Sequence, residues 1–362
     1  MYTLTDRGER DLALRYDLTI PFAKVAAMNP TIPMPFKRYE IGKVFRDGPI
    51  KAGRFREFTQ CDVDIVGVES QVAEAELMMM ALDAFAKLNM KVTIQYNNRK
   101  LLTGMLEVFG VEADRINPAV LILDKLEKIG VDTVISELSD LSIADSTNRL
   151  IQQFLTDTNN NRLDYFESYA DQNGKIREGL NELKELTSYL QFLEIDEQCV
   201  FNPFLARGLE IYTGTIYEIF LTDGSITSSI GSGGRYDNAI GGLLGTDEKI
   251  STVGISFGLD VIYAAIMAAQ RNAKKASNVD YYVIPLGTGK EALRVANDLR
   301  KKGYIVELEM SSRKLGKLLE KANKEGVRNV IVIGEEEVKK NQFKVKNMET
   351  GEEKVWEMNA LK

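Results

Sequence analysis

The groups in this chain that could do chemistry are arginines, carboxylates and tyrosines. In LARGLEIYTGTIYEIF, residues 205–220, Arg207 stands ahead of a glycine-containing break. An alternating run follows, with Ile211, Thr213, Thr215, Tyr217 and Ile219 on one face and Tyr212, Glu218 and Phe220 on the other. Asp223-Gly224 closes it as a hairpin turn signal, and the next segment ends in the glycine cluster GSGGRYD (231–237), which carries Tyr236. A guanidinium, several tyrosines and glycines that admit close backbone approach describe a pocket for an anion and a small molecule. An ordinary hairpin with a surface arginine accounts for the same residues.

A second group lies near the start. FKRYEIGKVFR (36–46) places Arg38, Glu40, Gly42 and Arg46 on one face and Tyr39, Ile41 and Phe45 on the other. REFTQCDVDIVGV (56–68) places Gln60, Asp62 and Asp64 opposite an apolar face of Cys61, Val63 and Ile65. The loop between them adds Lys51 and Arg54. Antiparallel sheets commonly bury one face and leave the other wet, so this polar face is either solvent surface or the floor of a site, and the basic loop above it favours the site. Upstream, Arg15, Asp17 and Thr19 alternate before Pro21, which reads as a strand face ended by a breaker and a helix over 22–28.

Composition narrows the chemistry. The 362 residues contain no histidine and two cysteines, Cys61 and Cys199, which removes Ser-His-Asp and Cys-His nucleophiles and histidine-based zinc sites. Mg²⁺ stays possible because it takes oxygen ligands. With so few cysteines and no apolar run near the roughly 20 residues of a membrane helix, a reducing cytoplasm and no membrane partner are the expectations. Net charge is −7, yet residues 278–362 hold 17 basic and 14 acidic side chains, a weak pointer to a polyanion that a solvated surface explains equally well.

The elements that must position these groups fall into blocks. Strand-like segments and an amphipathic helix within 67–88 make residues 1–97 the first part of a sheet domain. Residues 98–185 lose alternation and read as a helical insertion, with helices at 100–109, 119–128, 145–155 and 176–192. Residues 186–270 resume the sheet domain, 271–278 (RNAKKASN, counted from Arg271) read as a linker, and 279–362 alternate strand and helix as a compact α/β domain with a mostly parallel sheet. The fold class expected is α+β. The abrupt opening at Tyr2–Leu4 reads as a chain whose natural beginning is missing.

LRYDLT with its proline, the FR-loop-GRFREFTQCDVDIVG hairpin, RGLEIYTG, GGRYD and VGISFGLD follow one another in an order that resembles the histidyl-tRNA synthetase family of class II aminoacyl-tRNA synthetases. The resemblance spans nearly the whole chain. It implies an antiparallel-sheet catalytic domain with a helical insertion and a C-terminal α/β anticodon-binding domain. It also implies ATP-dependent activation of histidine, transfer to tRNA(His), Mg²⁺ with the ATP, and a homodimer. By the same resemblance Arg46, Arg54 and Arg207 bind the phosphates of ATP, with Arg46 and Arg207 catalytic. Asp17, Thr19 and Gln60 take the amino end of histidine; Asp64 and Tyr212 take its imidazole nitrogens, Tyr236 lines the same pocket, and Arg207 touches histidine as well. Two departures stand out: Val261 occupies the place of an arginine after GLD, and the family's dimer-forming lead-in has no counterpart before Tyr2, so weak dimerisation is expected. A regulatory paralogue that binds histidine and controls ATP phosphoribosyltransferase is the rival reading; such subunits usually lack the RGL…YTG arginine pattern and the C-terminal domain.

Overall fold

The computed structural model describes residues 1–50, 54–207, 211–270, 277–311 and 313–358. Lys51, the Gly208–Glu210 part of RGLEIYTG and nearly all of the expected linker lie outside the described residues. The chain divides into two compact units, Met1–Ile266 and Met267–Lys362.

The first unit opens with a small hairpin of β1 (Thr3–Thr5) and β2 (Asp11–Ala13). Its main sheet uses β3 (Phe36–Phe45), β4 (Glu57–Val66), β5 (Val92–Asn98), β6 (Cys199–Phe201), β7 (Thr215–Leu221), β8 (Gly231–Arg235) and β9 (Thr252–Gly258) in the order β3-β4-β9-β8-β7-β5-β6. Every pairing is antiparallel except β5 with β6. Helix Val72–Lys87 and the helices between Arg99 and Phe192 pack on it around one continuous apolar core. Asn98 and Asn173 start the helices Arg99–Val108 and Gly174–Phe192 by accepting the Lys100 and Lys175 N–H groups.

Several local expectations change. Residues 14–18 form no strand: helix Thr19–Met28 begins early, the Asp17 carboxylate accepts Ile20 N–H at 2.9 Å, and Pro21 sits inside the first turn, where a missing N–H costs nothing. The strand expected from Ile211 begins only at Thr215. The expected 119–128 helix is two helices, Ile116–Leu123 and Leu126–Asp140, the second kinked at Gly130.

Burial on β3 and β4 runs against hydrophobicity. Tyr39 and Ile41 are exposed, Cys61 and Val63 half-buried, whereas Gln60, Asp62 and Asp64 are buried. The polar face is the inner one, which is the arrangement a site demands and a water-facing sheet surface does not.

The second unit holds β10 (Tyr281–Pro285), β11 (Val306–Leu308), β12 (Asn329–Ile333), β13 (Gln342–Asn347) and β14 (Glu353–Glu357), ordered β11-β10-β12-β13-β14. Its sheet is mixed rather than mostly parallel: β10 pairs in parallel with β11 and β12, and the β13–β14 hairpin adds on antiparallel. Helices Gly289–Lys301 and Leu315–Lys324 each bury an apolar stripe, with Leu299 and Leu318 inside.

Candidate active site

The inner polar face of β4 forms the floor of a cleft of about 500 Å³. Alternation along the strand aims Gln60, Asp62 and Asp64 the same way, and all three line it. Arg46, just past β3, and Arg54 line it from the β3–β4 side; Asp17 and Thr19 line it from the start of helix Thr19–Met28; Arg207, Tyr212 and Tyr236 line it from the β7–β8 side. The structure thus brings all nine residues singled out from the sequence to one cavity, including three, Arg207, Tyr212 and Tyr236, separated by more than a hundred residues from the other six.

Arg46 is held by aromatic faces. Its guanidinium lies 4.6 Å from the Tyr16 ring centre and 5.0 Å from that of Phe58, and its Nε donates to Tyr16 O at 3.3 Å. Burial pushes its pKa down, Tyr16 and Asp17 oppose that, and the positive charge of Arg207 adds to it. Both guanidinium groups line the same cleft, an arrangement that gains from an anion bound there.

Arg207 is oriented by Glu218, whose carboxylate accepts from Nη1. Burial alone would lower the Arg207 pKa; Tyr212, Glu218 and, more weakly, Asp124 outweigh it and leave it raised. Among the described residues its buried Nε has no hydrogen-bond partner. Glu218, with Tyr212 on the same face of the alternating run, was visible to parity but not as the partner of Arg207. Asp124 comes from the helical insertion, and no pattern in the sequence points from it to Arg207.

Asp64 lines the same cleft. Tyr236 donates its hydroxyl to Asp64 Oδ1 at 2.5 Å, and Arg38 Nη2 lies 2.8 Å from Oδ2. That approach is close enough for an ion pair but too poorly aligned to count as a hydrogen bond, so Oδ2 still lacks one. Burial raises the Asp64 pKa to about 6, with Arg38 and Tyr236 opposing. Arg38 is fixed in turn by Glu40 at 2.6 Å and by the Phe22 ring at 4.0 Å from its guanidinium carbon. Sequence parity put Arg38 on this face without identifying it as the partner of Asp64.

Asp62, between Gln60 and Asp64, is 2% exposed, and burial raises its pKa to about 7 against a hydrogen bond from Ser256. Among the described residues Gln60 Oε1 and Asp62 Oδ1 have no hydrogen-bond partner, and Asp64 Oδ2, along the same strand face, has only its ion pair with Arg38. A surface so rich in unpaired acceptors calls for a ligand that brings N–H donors and positive charge.

The glycines serve the walls. A Cβ on Gly254 of β9 would lie 2.0 Å from Asp64 Oδ1, and one on Gly233 would lie 2.0 Å from Gly254 O. The close approach read from GSGGRYD is therefore between neighbouring strands, and it is what lets the Asp64 carboxylate sit where it does. Arg235 of the same motif points away from the cleft: it is buried against Glu74 at 2.7 and 2.8 Å and donates to Val68 O at 2.9 Å, tying β8 to helix Val72–Lys87 one residue before Tyr236.

Comparison with known proteins agrees with this geometry. Residues 1–262 match a family model described as Histidyl-tRNA synthetase, and residues 280–362 match one described as an anticodon binding domain. Histidine--tRNA ligase 2 of Shouchella clausii (strain KSM-K16) is 59% identical over 353 residues, covering 98% of this chain and 83% of that protein. Histidine--tRNA ligase 1 of Bacillus anthracis is 54% identical over 355 residues, covering 98% and 82%. Among solved structures, histidyl-tRNA synthetase from Nostoc sp. PCC 7120 superposes with a TM-score of 0.73 at 29% identity, over 99% of this chain and 84% of that one. An ATP phosphoribosyltransferase regulatory subunit/histidyl-tRNA synthetase from Bacillus halodurans C shares the fold at a TM-score of 0.69, with 19% identity over 92% of this chain and 83% of that one.

Proposed function

The chain belongs to the histidyl-tRNA synthetase family, and from that premise we propose that it is an aminoacyl-tRNA ligase that activates histidine with ATP and transfers it to tRNA(His). One oxygen of the histidine carboxylate attacks the α-phosphorus of ATP, the bond from that phosphorus to the bridging oxygen breaks, and histidyl-adenylate and pyrophosphate result. A ribose hydroxyl at the 3′ end of the tRNA then attacks the activated carbonyl and AMP departs. The first step needs alignment and positive charge around the phosphoryl oxygens rather than a protein nucleophile, which suits a site without histidine.

The observation that carries this reading is a single cleft lined by Arg46 and Arg207 and also by the hydrogen-bonded Asp64–Tyr236 pair. In the proposed complex the α-phosphate sits between the two guanidinium groups. Asp17, Thr19 and Gln60 hold the amino end, and Asp64 and Tyr212 meet the imidazole nitrogens. Selectivity follows because an amino acid without ring N–H groups would leave those buried partners unpaired.

Val261, 8% exposed, presents an apolar wall where the family resemblance places an arginine, so among the described cleft residues Arg54 is the cation left for the outer phosphates. No group of three or more acidic or cysteine side chains that could hold a metal is present among the described residues. Mg²⁺ then belongs to this chemistry as a companion of the ATP phosphates, brought with the substrate. The second unit takes the anticodon end of the tRNA. A second copy of the chain and a cytoplasmic setting complete the proposal; among the described residues no helix is long and apolar enough to cross a membrane.

Histidine-dependent exchange of labelled pyrophosphate into ATP, followed by charging of tRNA(His), tests the proposal. Both activities are expected. Histidine binding at saturating ATP without any exchange would instead support the regulatory paralogue.

A further inference from the structure

Where β5 runs into helix Arg99–Val108, its last residues reach across to the chain that carries Arg207. The fully buried Asn97 donates from Nδ2 to Pro203 O at 2.9 Å and to Leu205 O at 3.0 Å. Arg99 takes hold further along: its backbone N–H donates to Gly214 O at 2.8 Å, and its Nη1 donates to Arg207 O at 3.4 Å. Those two carbonyls belong to the first and last residues of RGLEIYTG, the motif that supplies Arg207 and Tyr212 to the cleft. The other arm of the guanidinium, Nη2, donates to Asn117 Oδ1 at 2.8 Å, on helix Ile116–Leu123 of the helical insertion. The bond to Arg207 O is long and would fix little by itself. A planar fork anchored by Asn117 on one arm, on a backbone anchored to Gly214, has its other arm aimed for it. Glu218 sets the direction of the Arg207 side chain, whereas Arg99 holds the backbone from which that side chain springs. Arg99 does not line the cleft, and neither does any other described residue of the insertion.

We infer that Arg99 is a positioning residue for the reaction: it sets the place of the Arg207 backbone and, through Asn117, ties that place to the helical insertion. The inference rests on the reading of Arg207 as the group that stabilises charge on the α-phosphate. It gives the insertion a part in the chemistry although none of its described residues reaches the cleft. Misplacing a reacting or stabilising group by 1 Å costs about a hundredfold in rate; with Glu218 and the Gly214 bond still in place, the displacement is smaller and the cost is about tenfold.

The test is a double-substitution cycle in the full chain, read by histidine-dependent pyrophosphate exchange. Arg99→Met keeps the aliphatic stem and the backbone N–H but removes the guanidinium, and should lower kcat about tenfold. In a chain that already carries Arg207→Ala, the same substitution should change kcat by less than about twofold, because a residue that acts through Arg207 then has nothing left to position. Asn117→Ala, at an exposed position, should lower kcat about threefold, again only while Arg207 is present, and it carries the cycle if Arg99→Met does not fold. Equal fold-losses with and without Arg207 would show general support of the fold and overturn the inference, as would unchanged kcat in Arg99→Met or in Asn117→Ala. An unsubstituted chain that shows no exchange would sink the functional reading itself, and this inference with it.

Discussion

Replacing Arg207 with alanine separates what this side chain does for the reaction from what it does for the fold. If it stabilises charge on the α-phosphate as an oxyanion donor does, its loss should lower kcat for pyrophosphate exchange by about 10²–10³. The same substitution strands Glu218, whose side chain is only 15% exposed and whose pKa burial already raises against the opposing Arg207 charge. Breaking a buried pair by removing one partner costs about 3–5 kcal/mol; because the Arg207 side chain is itself 21% exposed, the lower end applies, about 3 kcal/mol. For a unit the size of Met1–Ile266, at roughly 2 °C per kcal/mol, the melting temperature should fall by about 6 °C. The penalty belongs to an acid whose folded-state pKa lies above its unfolded one. It is therefore absent below the unfolded pKa and grows as pH rises toward the folded one, so the variant should regain stability on acidification. Arg207→Ala/Glu218→Gln should recover most of the lost melting temperature and none of the lost rate. The reasoning is refuted if the single variant keeps exchange within tenfold, or if the double variant recovers activity along with stability.

Gly254→Ala should raise the KM for histidine at least tenfold with a much smaller effect on that for ATP, since the new Cβ would collide with Asp64 Oδ1 at 2.0 Å; steady-state kinetics with each substrate varied decides this. Glu74→Gln leaves the buried Arg235 with only the more distant, partly exposed Asp237 as counter-charge and should destabilise the first unit by about 3 kcal/mol in urea unfolding, whereas an exposed pair such as Lys87–Asp83 should contribute less than about 1 kcal/mol. Asp62 and Asp64 have folded-state pKa values of about 7 and about 6, both raised, so their contribution to stability is fully present below pH 3.8 and is lost as pH climbs through those values. The groups around Asp62 are Asp64 on its own strand, Asp17, Arg38, Arg46 and Tyr212; melting curves from pH 5 to 8 should decline less steeply in Asp62→Asn than in the unsubstituted chain.

Alternation made the site partly legible in the sequence. Residues 46, 60, 62 and 64 share a face because a strand has a period of two, and that holds whatever the strand packs against. Which face is inside was not legible: hydrophobicity favoured burying Tyr39, Ile41 and Cys61, but a ligand site inverts the rule by enclosing polar groups. Residues 14–18 misled in the opposite way, since their alternation comes from a loop whose Asp17 accepts an N–H of the following helix. Partner identities escaped as well. The approach of Arg38 to Asp64 follows from the β3–β4 register, in which the two are directly paired, and that register is set by a turn whose length alone does not fix it. Electrostatic influences such as that of the Asp124 charge on Arg207 depend on how a helical segment folds back over the sheet, which periodicity does not encode.

The arrangement stands or falls on where a reaction intermediate binds. The most direct measurement is a structure of the chain with a non-hydrolysable histidyl-adenylate analogue whose sulfamoyl group replaces the α-phosphate. That group should lie between the Arg46 and Arg207 guanidinium groups, with the imidazole nitrogens at Asp64 and Tyr212. An analogue bound with either arginine turned away from the sulfamoyl group, or with its ring outside the Asp64–Tyr236 corner, would contradict the account.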